Sequence, residues 1–333
     1  MPQIQPVVPQ IQPVVPQIQL TAVPPHASFS LAVHGGAGPG RDGSEAHADG
    51  LRRALVAGEA VLAAGGAALD AVCVAVVVLE DDESFNAGRG AALTVAGTAE
   101  LDACLCDGAT GRAGAVAASR YARNPVLAAR AVMESTPHVL LADPGERWLA
   151  DVGLERVDPS YFVTDARRAA LRAHHDETTA PRLVRDGATA SGPDATGYVV
   201  GHGTVGAVAR DTAGRLAAAT STGGVTGQWV GRVGDTPVVG AGTWADERVA
   251  VSGTGIGEFF LRAALAHDVA ARVRWTGAAL AQAAHDALHD DLVVPGGDGG
   301  LIAAGADGTL VLGYCSQAML RGYLGPDGPV VVA

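Results

Sequence analysis

Short Ala- and Val-rich runs bounded by glycine dominate this 333-residue chain, and they are grouped by type rather than alternating. Two helical stretches, about 44–64 and 67–79, precede strand-like runs at 91–95, 99–106 and 113–118. Further helices are expected from Asn124-Pro125 to about Glu134, after Asp143-Pro144 with proline at the first helical position, and over Asp165–His175. Past residue 198 the runs read as strands: a hairpin of 199–209 with 215–220 around an Asp211-Thr212-Ala213-Gly214 turn, short strands at 238–241 and 249–252, and a final hairpin of 301–304 with 309–312. Helices over 257–268 and 276–291 lie between the 249–252 strand and the final hairpin. Elements segregated in this way pack as antiparallel sheets covered by helices, whereas a doubly wound nucleotide fold needs strict alternation. The expectation is an α+β sandwich in one domain, residues 29–333. Aromatics are only 4% of the chain, so Ala and branched aliphatics must fill its core.

Within that frame the most informative stretch is Gly203-Thr204-Val205-Gly206-Ala207-Val208. Thr220-Ser221-Thr222-Gly223-Gly224 follows, then Gly231-Arg232-Val233-Gly234-Asp235 and Ser252-Gly253-Thr254-Gly255-Ile256-Gly257. A threonine hydroxyl is a weak nucleophile and needs an adjacent base. Scission of the Gly203–Thr204 bond would supply one on the same residue, because a free α-amino group has a pKa of roughly 7.7–8.0. Gly-Thr alone also suits a plain strand start. The surrounding hydroxyls, the Arg232/Asp235 pair and the glycine-lined helix start turn the reading toward a self-cleaving threonine hydrolase. The segment before Thr204, about 175–203, is rich in Thr, Gly, Pro, Asp and Ala and reads as a mobile linker that could carry the new chain end away.

Rival chemistries fit less well. Gly253-Thr254-Gly255-Ile256-Gly257-Glu258 fails as a dinucleotide fingerprint, since Glu258 stands where the third glycine belongs. Backbone N–H groups at that helix start still suit an oxyanion. Ser221 lacks the G-x-S-x-G setting of a hydrolase nucleophile. His285 and His289 are four apart on a helix without the glutamate of a zinc motif. His34 ends a buried strand and reads as a structural hydrogen-bonder; it and His202 are the rival bases for an internal Thr204.

A net charge of −12 with no basic stripe argues against nucleic acid and fits small-molecule or peptide substrates. No apolar run reaches membrane-spanning length. Cys73, Cys104, Cys106 and Cys315 form no CxxC pair, which indicates a reduced, cytoplasmic protein. The repeat Pro2-Gln3-Ile4-Gln5-Pro6-Val7-Val8 recurs at 9–15 and restarts at Pro16, so residues 1–28 are expected to form a disordered, polyproline-like tail.

The chain resembles the plant-type L-asparaginase/isoaspartyl aminopeptidase family of N-terminal nucleophile hydrolases. The likeness runs from about Leu31 to Gly322 and rests on motifs in order: His34-Gly-Gly-Ala-Gly38, Phe85-Asn-Ala-Gly88-x-Gly90, Glu100-Leu-Asp-Ala103 with Asp107-Gly108, Gly114-Ala-Val116, Asn124-Pro125 and the four segments around Thr204. It implies a four-layer αββα sandwich, made as a precursor and cut into an α chain, 1–203, and a β chain, 204–333. By this resemblance Thr204 is nucleophile and base, Thr222 orients it, and Thr254 with the Gly255 N–H forms the oxyanion hole. Arg232 and Asp235 clamp the substrate's α-carboxylate and α-ammonium, Gly257 assists through its carbonyl, and Asn86 lies near the nucleophile.

The resemblance also implies a structural sodium ion on the carbonyls of Leu79, Glu80, Asp82, Phe85, Ala87 and Arg89, no catalytic cofactor, and a homodimer of αβ units. The implied activity is release of L-aspartate from β-aspartyl dipeptides and L-asparagine. A glycosylasparaginase-like hydrolase, a threonine endopeptidase and an uncleaved binding protein are the alternatives. Tyr314-Cys315-Ser316-Gln317-Ala318-Met319 departs from the family's Asn-Thr-x-Gly-Met, which leaves fine specificity open.

Overall fold

The computed structural model describes residues 17–38, 43–179 and 203–333. The expected linker from 180 to 202, His202 with it, and the repeat in 1–16 lie outside the described residues. The first described strand is β1, Gln19–Val23, ten residues before the expected start. It pairs antiparallel with β11, Leu310–Tyr314, from Gln19↔Tyr314 to Val23↔Leu310. The tail reading therefore fails for this stretch. After Gln17 the proline repeat gives way to Ile18-Gln19-Leu20-Thr21-Ala22-Val23, and Ile18, Leu20 and Val23 pack into core clusters.

The remaining strands are β2 Ser30–Gly38, β3 Leu101–Asp107, β4 Arg112–Ser119, β5 Leu140–Ala142, β6 Thr204–Arg210, β7 Leu216–Thr222, β8 Thr243–Ala245, β9 Val249–Gly255, β10 Gly299–Gly305, β12 Ala318–Gly325 and β13 Gly328–Val332. They form two sheets, in the order β1-β11-β10-β9-β8 and β13-β12-β2-β6-β7-β3-β4-β5. Among the named strands only the β4–β5 pairing is parallel; Val239 and Thr243 add an isolated parallel bridge. The helices are α1 Glu45–Ala63, α2 Ala68–Glu80, α3 Pro125–Ser135, α4 Glu146–Asp151, α5 Asp165–Thr179, α6 Gly257–Ala263, α7 Leu265–Thr276 and α8 Leu280–Ala287. The result is the mixed α+β class that the grouped runs imply.

Strand alternation sorts the side chains into separate cores. Leu31, Val33, Leu105, Val205 and Ala207 pack with α1, α2 and α3 in one cluster. Their neighbours Ala32, Cys104, Val208 and Ala218 meet Ala250, Ile302, Leu310 and Leu312 of the other sheet in a second. Val249, Val251, Leu301 and Val311, on the far face of that sheet, pack with α7 and α8 in a third.

Several expected elements differ, each for a tertiary reason. Residues 91–95 form no strand: the Ala92 N–H donates to the Asn86 side chain at 2.7 Å and the Val95 N–H to the Gln228 carbonyl at 2.9 Å. Asp143 does not cap a helix at Pro144; it holds Arg120 with φ 45°, and α4 begins after Gly145. The helix expected over 257–268 breaks at Ala264, φ 52°, where the Ala266 and His267 N–H groups donate to the Ala241 and Gly240 carbonyls. The one expected over 276–291 is α8 followed by a π-helical turn, Leu288–Val293. The 238–241 strand is replaced by β8, and α5 continues to Thr179 where the linker was expected to begin. No helix among the described residues is long and apolar enough to cross a membrane.

Candidate active site

β6 and β7 are antiparallel neighbours, and their register sets Thr204 directly opposite Thr222. The Thr204 hydroxyl donates to Thr222 Oγ1 at 3.0 Å. Thr222 Oγ1 also accepts the Gly224 N–H at 3.1 Å and donates to the Gly203 carbonyl at 3.4 Å. In the continuous chain one hydroxyl thus receives the Thr204 proton donor and polarises the carbonyl that scission would attack.

Behind Thr204 lies His34, fully buried in the middle of β2 opposite Gly206, not at the end of a strand as expected, because β2 runs on through the glycines to Gly38. Its Nδ1 lies 3.0 Å from the Thr204 carbonyl and its Nε2 2.9 Å from Ser252 Oγ. A carbonyl only accepts, so these partners assign the proton to Nδ1 and make Nε2 the acceptor. Burial holds the ring neutral, with its pKa pushed down to about 3. His34 therefore holds the backbone of Thr204 and does not face its hydroxyl, which removes it as the rival base. A Cβ at Gly206 would lie 2.4 Å from His34 Nε2 and 2.0 Å from Ser252 Oγ, so this contact requires glycine there. Gly36, φ +115°, likewise leaves room for Gly203, whose Cα would be 2.7 Å from a Cβ.

A pocket opens in front of Thr204, lined by Gly203, Thr222, Gly224, Arg232, Gly234, Asp235, Gly255 and Gly257 among others. Arg232 is largely buried: its Nη2 and Nε donate to Glu258 Oε1 at 3.0 and 3.2 Å. Glu258, the residue that spoils the nucleotide fingerprint, is thus the partner of Arg232, a role invisible without the fold. Asp235 is buried, and its Oδ2 has no hydrogen-bond partner among the described residues. Burial pushes its pKa up to about 7, against the pull of its own backbone N–H and of Arg232. A buried carboxyl with one orphaned oxygen beside a guanidinium offers charges complementary to a group carrying both an ammonium and a carboxylate.

Not every expected residue faces the pocket. Asn86 is buried behind it: Nδ2 donates to the Gly224 carbonyl at 2.7 Å, and the Asn86 carbonyl accepts the Gly223 N–H at 3.1 Å. It fixes the turn that follows Thr222 rather than touching Thr204. The Thr254 hydroxyl accepts the Ala37 N–H at 3.3 Å, while Gly255, φ +153°, lines the pocket itself. The departing 314–319 segment folds against Gly299, where the Cys315 N–H donates to the Gly299 carbonyl at 2.9 Å.

A family model described as asparaginase matches residues 27–331. The isoaspartyl peptidase of Salmonella typhimurium is 44% identical over 305 residues, covering 89% of this chain and 95% of the relative. That of Escherichia coli is also 44% identical over 305 residues, 89% and 93% of the two chains. A probable isoaspartyl peptidase/L-asparaginase of Arabidopsis thaliana is 38% identical over 322 residues, 92% and 98% of the two chains.

Proposed function

Because this chain belongs to the asparaginase family, we propose that it is an isoaspartyl peptidase and L-asparaginase that activates itself by cutting before Thr204. The observation that carries this reading is one pocket in which the hydrogen-bonded Thr204–Thr222 pair shares the lining with Arg232 and with Asp235, whose Oδ2 has no hydrogen-bond partner among the described residues. The three cores stacked between helices and sheets support reading the fold as a four-layer αββα sandwich. Cleavage gives the chains 1–203 and 204–333, which pair again as a homodimer of αβ units in the cytoplasm.

In the uncut chain the Thr204 hydroxyl attacks the Gly203 carbonyl, which Thr222 polarises. The Gly203–Thr204 C–N bond breaks as the hydroxyl proton passes to the freed α-amine, and water then hydrolyses the resulting ester to a Gly203 carboxylate and the Thr204 hydroxyl. In the cut enzyme the α-amine of Thr204 takes the hydroxyl proton as Oγ adds to the substrate's side-chain carbonyl. The Gly255 N–H, at the pocket wall, stabilises the oxyanion, with the adjacent Thr254 hydroxyl joining it by the family resemblance. The C–N bond breaks as the amine leaves with a proton, and a β-aspartyl ester remains on Thr204. Water adds to the ester, Thr204 recovers its proton, and L-aspartate departs. Arg232 holds the α-carboxylate, and Asp235 with the Gly257 carbonyl holds the α-ammonium. Only a free aspartyl residue offers both groups, which selects β-aspartyl dipeptides and asparagine over internal peptide bonds.

Purified protein given a β-aspartyl dipeptide or L-asparagine is expected to release L-aspartate, read by amino-acid analysis; absence of aspartate from both overturns the reading. The pKa of Asp235 adds a pH dependence. Below about 7 this carboxyl is protonated and cannot balance an ammonium. KM for β-aspartyl dipeptides should therefore fall as pH rises through about 7, and Asp235→Asn should raise KM and flatten that dependence.

By the same resemblance we propose a structural sodium ion at residues 79–89. A Cβ at Gly90 would lie 2.1 Å from the Phe85 carbonyl, and one at Gly88 2.3 Å from that of Glu80, so the glycines leave room for carbonyls to converge. Such oxygens fit a hard cation, with Leu79, Glu80, Asp82, Phe85, Ala87 and Arg89 as holders; the ion would stiffen the loop that carries Asn86. Exchange of sodium for choline should lower Tm by a few degrees, since saturation at about 100 Kd contributes about 2.7 kcal/mol. An unchanged Tm contradicts the site.

A further inference from the structure

The Glu100-Leu101-Asp102-Ala103 motif takes no part in the chemistry above, yet both its carboxylates are buried, 7% and 3% exposed. Buried carboxylates need partners, and here the partners are backbone amides. Glu100 Oε2 accepts the Gly231 N–H at 2.7 Å. Asp102 Oδ2 accepts the Gly234 N–H at 3.2 Å, and its Oδ1 the Ala118 N–H at 2.9 Å. Gly231 and Gly234 bracket Arg232, and Gly234 directly precedes Asp235.

The sheet register ties these contacts to the nucleophile. Thr204 stands opposite Thr222, and Thr222 stands opposite Asp102 on β3. Directly opposed residues of antiparallel strands send their side chains to the same face. Thr204, Thr222 and Asp102 thus form one row across three strands. Next to that row the β3–β4 register shifts between Leu101 and Ala103, and Ala118 has φ 51°. The bulge frees the Ala118 N–H from the ladder and turns it to the Asp102 carboxylate.

We infer that Glu100 and Asp102 are positioning residues that hold the 231–235 loop at a fixed distance from Thr204, so that a substrate gripped by Arg232 and Asp235 presents its side-chain carbonyl to the nucleophile. Bonds from amides to a carboxylate are stronger than neutral ones, which suits an anchor for a loop punctuated by glycines. The inference rests on the assignment of Arg232 and Asp235 as the substrate clamp.

Glu100→Ala tests it, with Glu100→Gln as the conservative variant and Arg232→Leu as the reference. The readouts are cleavage at Gly203–Thr204 on a denaturing gel, and kcat and KM for a β-aspartyl dipeptide. Cleavage involves no free substrate, so it reports that the variant folds. Glu100→Ala is expected to cleave fully and to raise KM about tenfold, the scale of one charged hydrogen bond, with kcat changed far less. Glu100→Gln, which keeps an acceptor for Gly231, should recover most of the loss. Wild-type KM in Glu100→Ala beside a crippled Arg232→Leu overturns the inference. So does loss of cleavage and kcat together without a change in KM, which marks a purely structural role. Normal kinetics in Arg232→Leu removes the clamp itself, and the anchor with it.

Discussion

Thr204→Ala is expected to remain a single 333-residue polypeptide and to hydrolyse β-aspartyl dipeptides only at background. In the proposed mechanism the same Oγ serves both reactions, so both should disappear together. Removing a nucleophile of this kind costs on the order of 10⁴-fold or more in kcat. The fold should persist, because Val205, Ala207 and Val208 behind it supply the buried contacts of β6. Thr204→Ser keeps the hydroxyl and the amine and should cleave itself and retain partial activity. A Thr204→Ala chain that still hydrolyses the dipeptide removes Thr204 from the mechanism.

The second large effect is expected at Arg232. Arg232→Leu keeps an apolar stem but deletes the guanidinium that holds Glu258 and faces the pocket. The lost charged hydrogen bonds are worth about 1.5–3 kcal/mol each, so kcat/KM should fall at least about tenfold. The loss compounds at Asp235, whose ionised form Arg232 supports. Without it the buried carboxyl titrates at still higher pH and balances the substrate ammonium less well at neutrality. Succinamic acid, which lacks the α-ammonium, should already be a poor substrate for the unaltered enzyme. Autocleavage should be complete in Arg232→Leu, because Gly203 and Thr204 are delivered by the chain. Dipeptide turnover at the unaltered rate assigns the pocket to another substrate.

How much of this was legible in the sequence depends on where each signal sits. Helices α1, α2 and α3 and the β6–β7 hairpin announce themselves through local periodicity and a turn. β1 was hidden because it follows a proline repeat, and β12 and β13 because Gly322, Gly325 and Gly328 punctuate them. The break at Ala264 has no local cause, since alanine favours helix; carbonyls of Gly240 and Ala241 impose it. At the site, Thr204, Thr222, Arg232 and Asp235 lie in short glycine-marked motifs, and their chemistry can be argued from residue type. The supports cannot. His34 reaches Thr204 across 170 positions, Asn86 reaches Gly224 across 138, and Glu100 reaches Gly231 across 131. Such contacts depend on sheet order and register, which local periodicity does not carry.

The most direct measurement is intact-mass analysis with N-terminal sequencing of purified, active protein. Self-activation at Thr204 requires two fragments, 1–203 and 204–333, the second beginning Thr204-Val205-Gly206. A fully active preparation consisting of one uncut chain, or of fragments whose new N-terminus lies elsewhere, contradicts it.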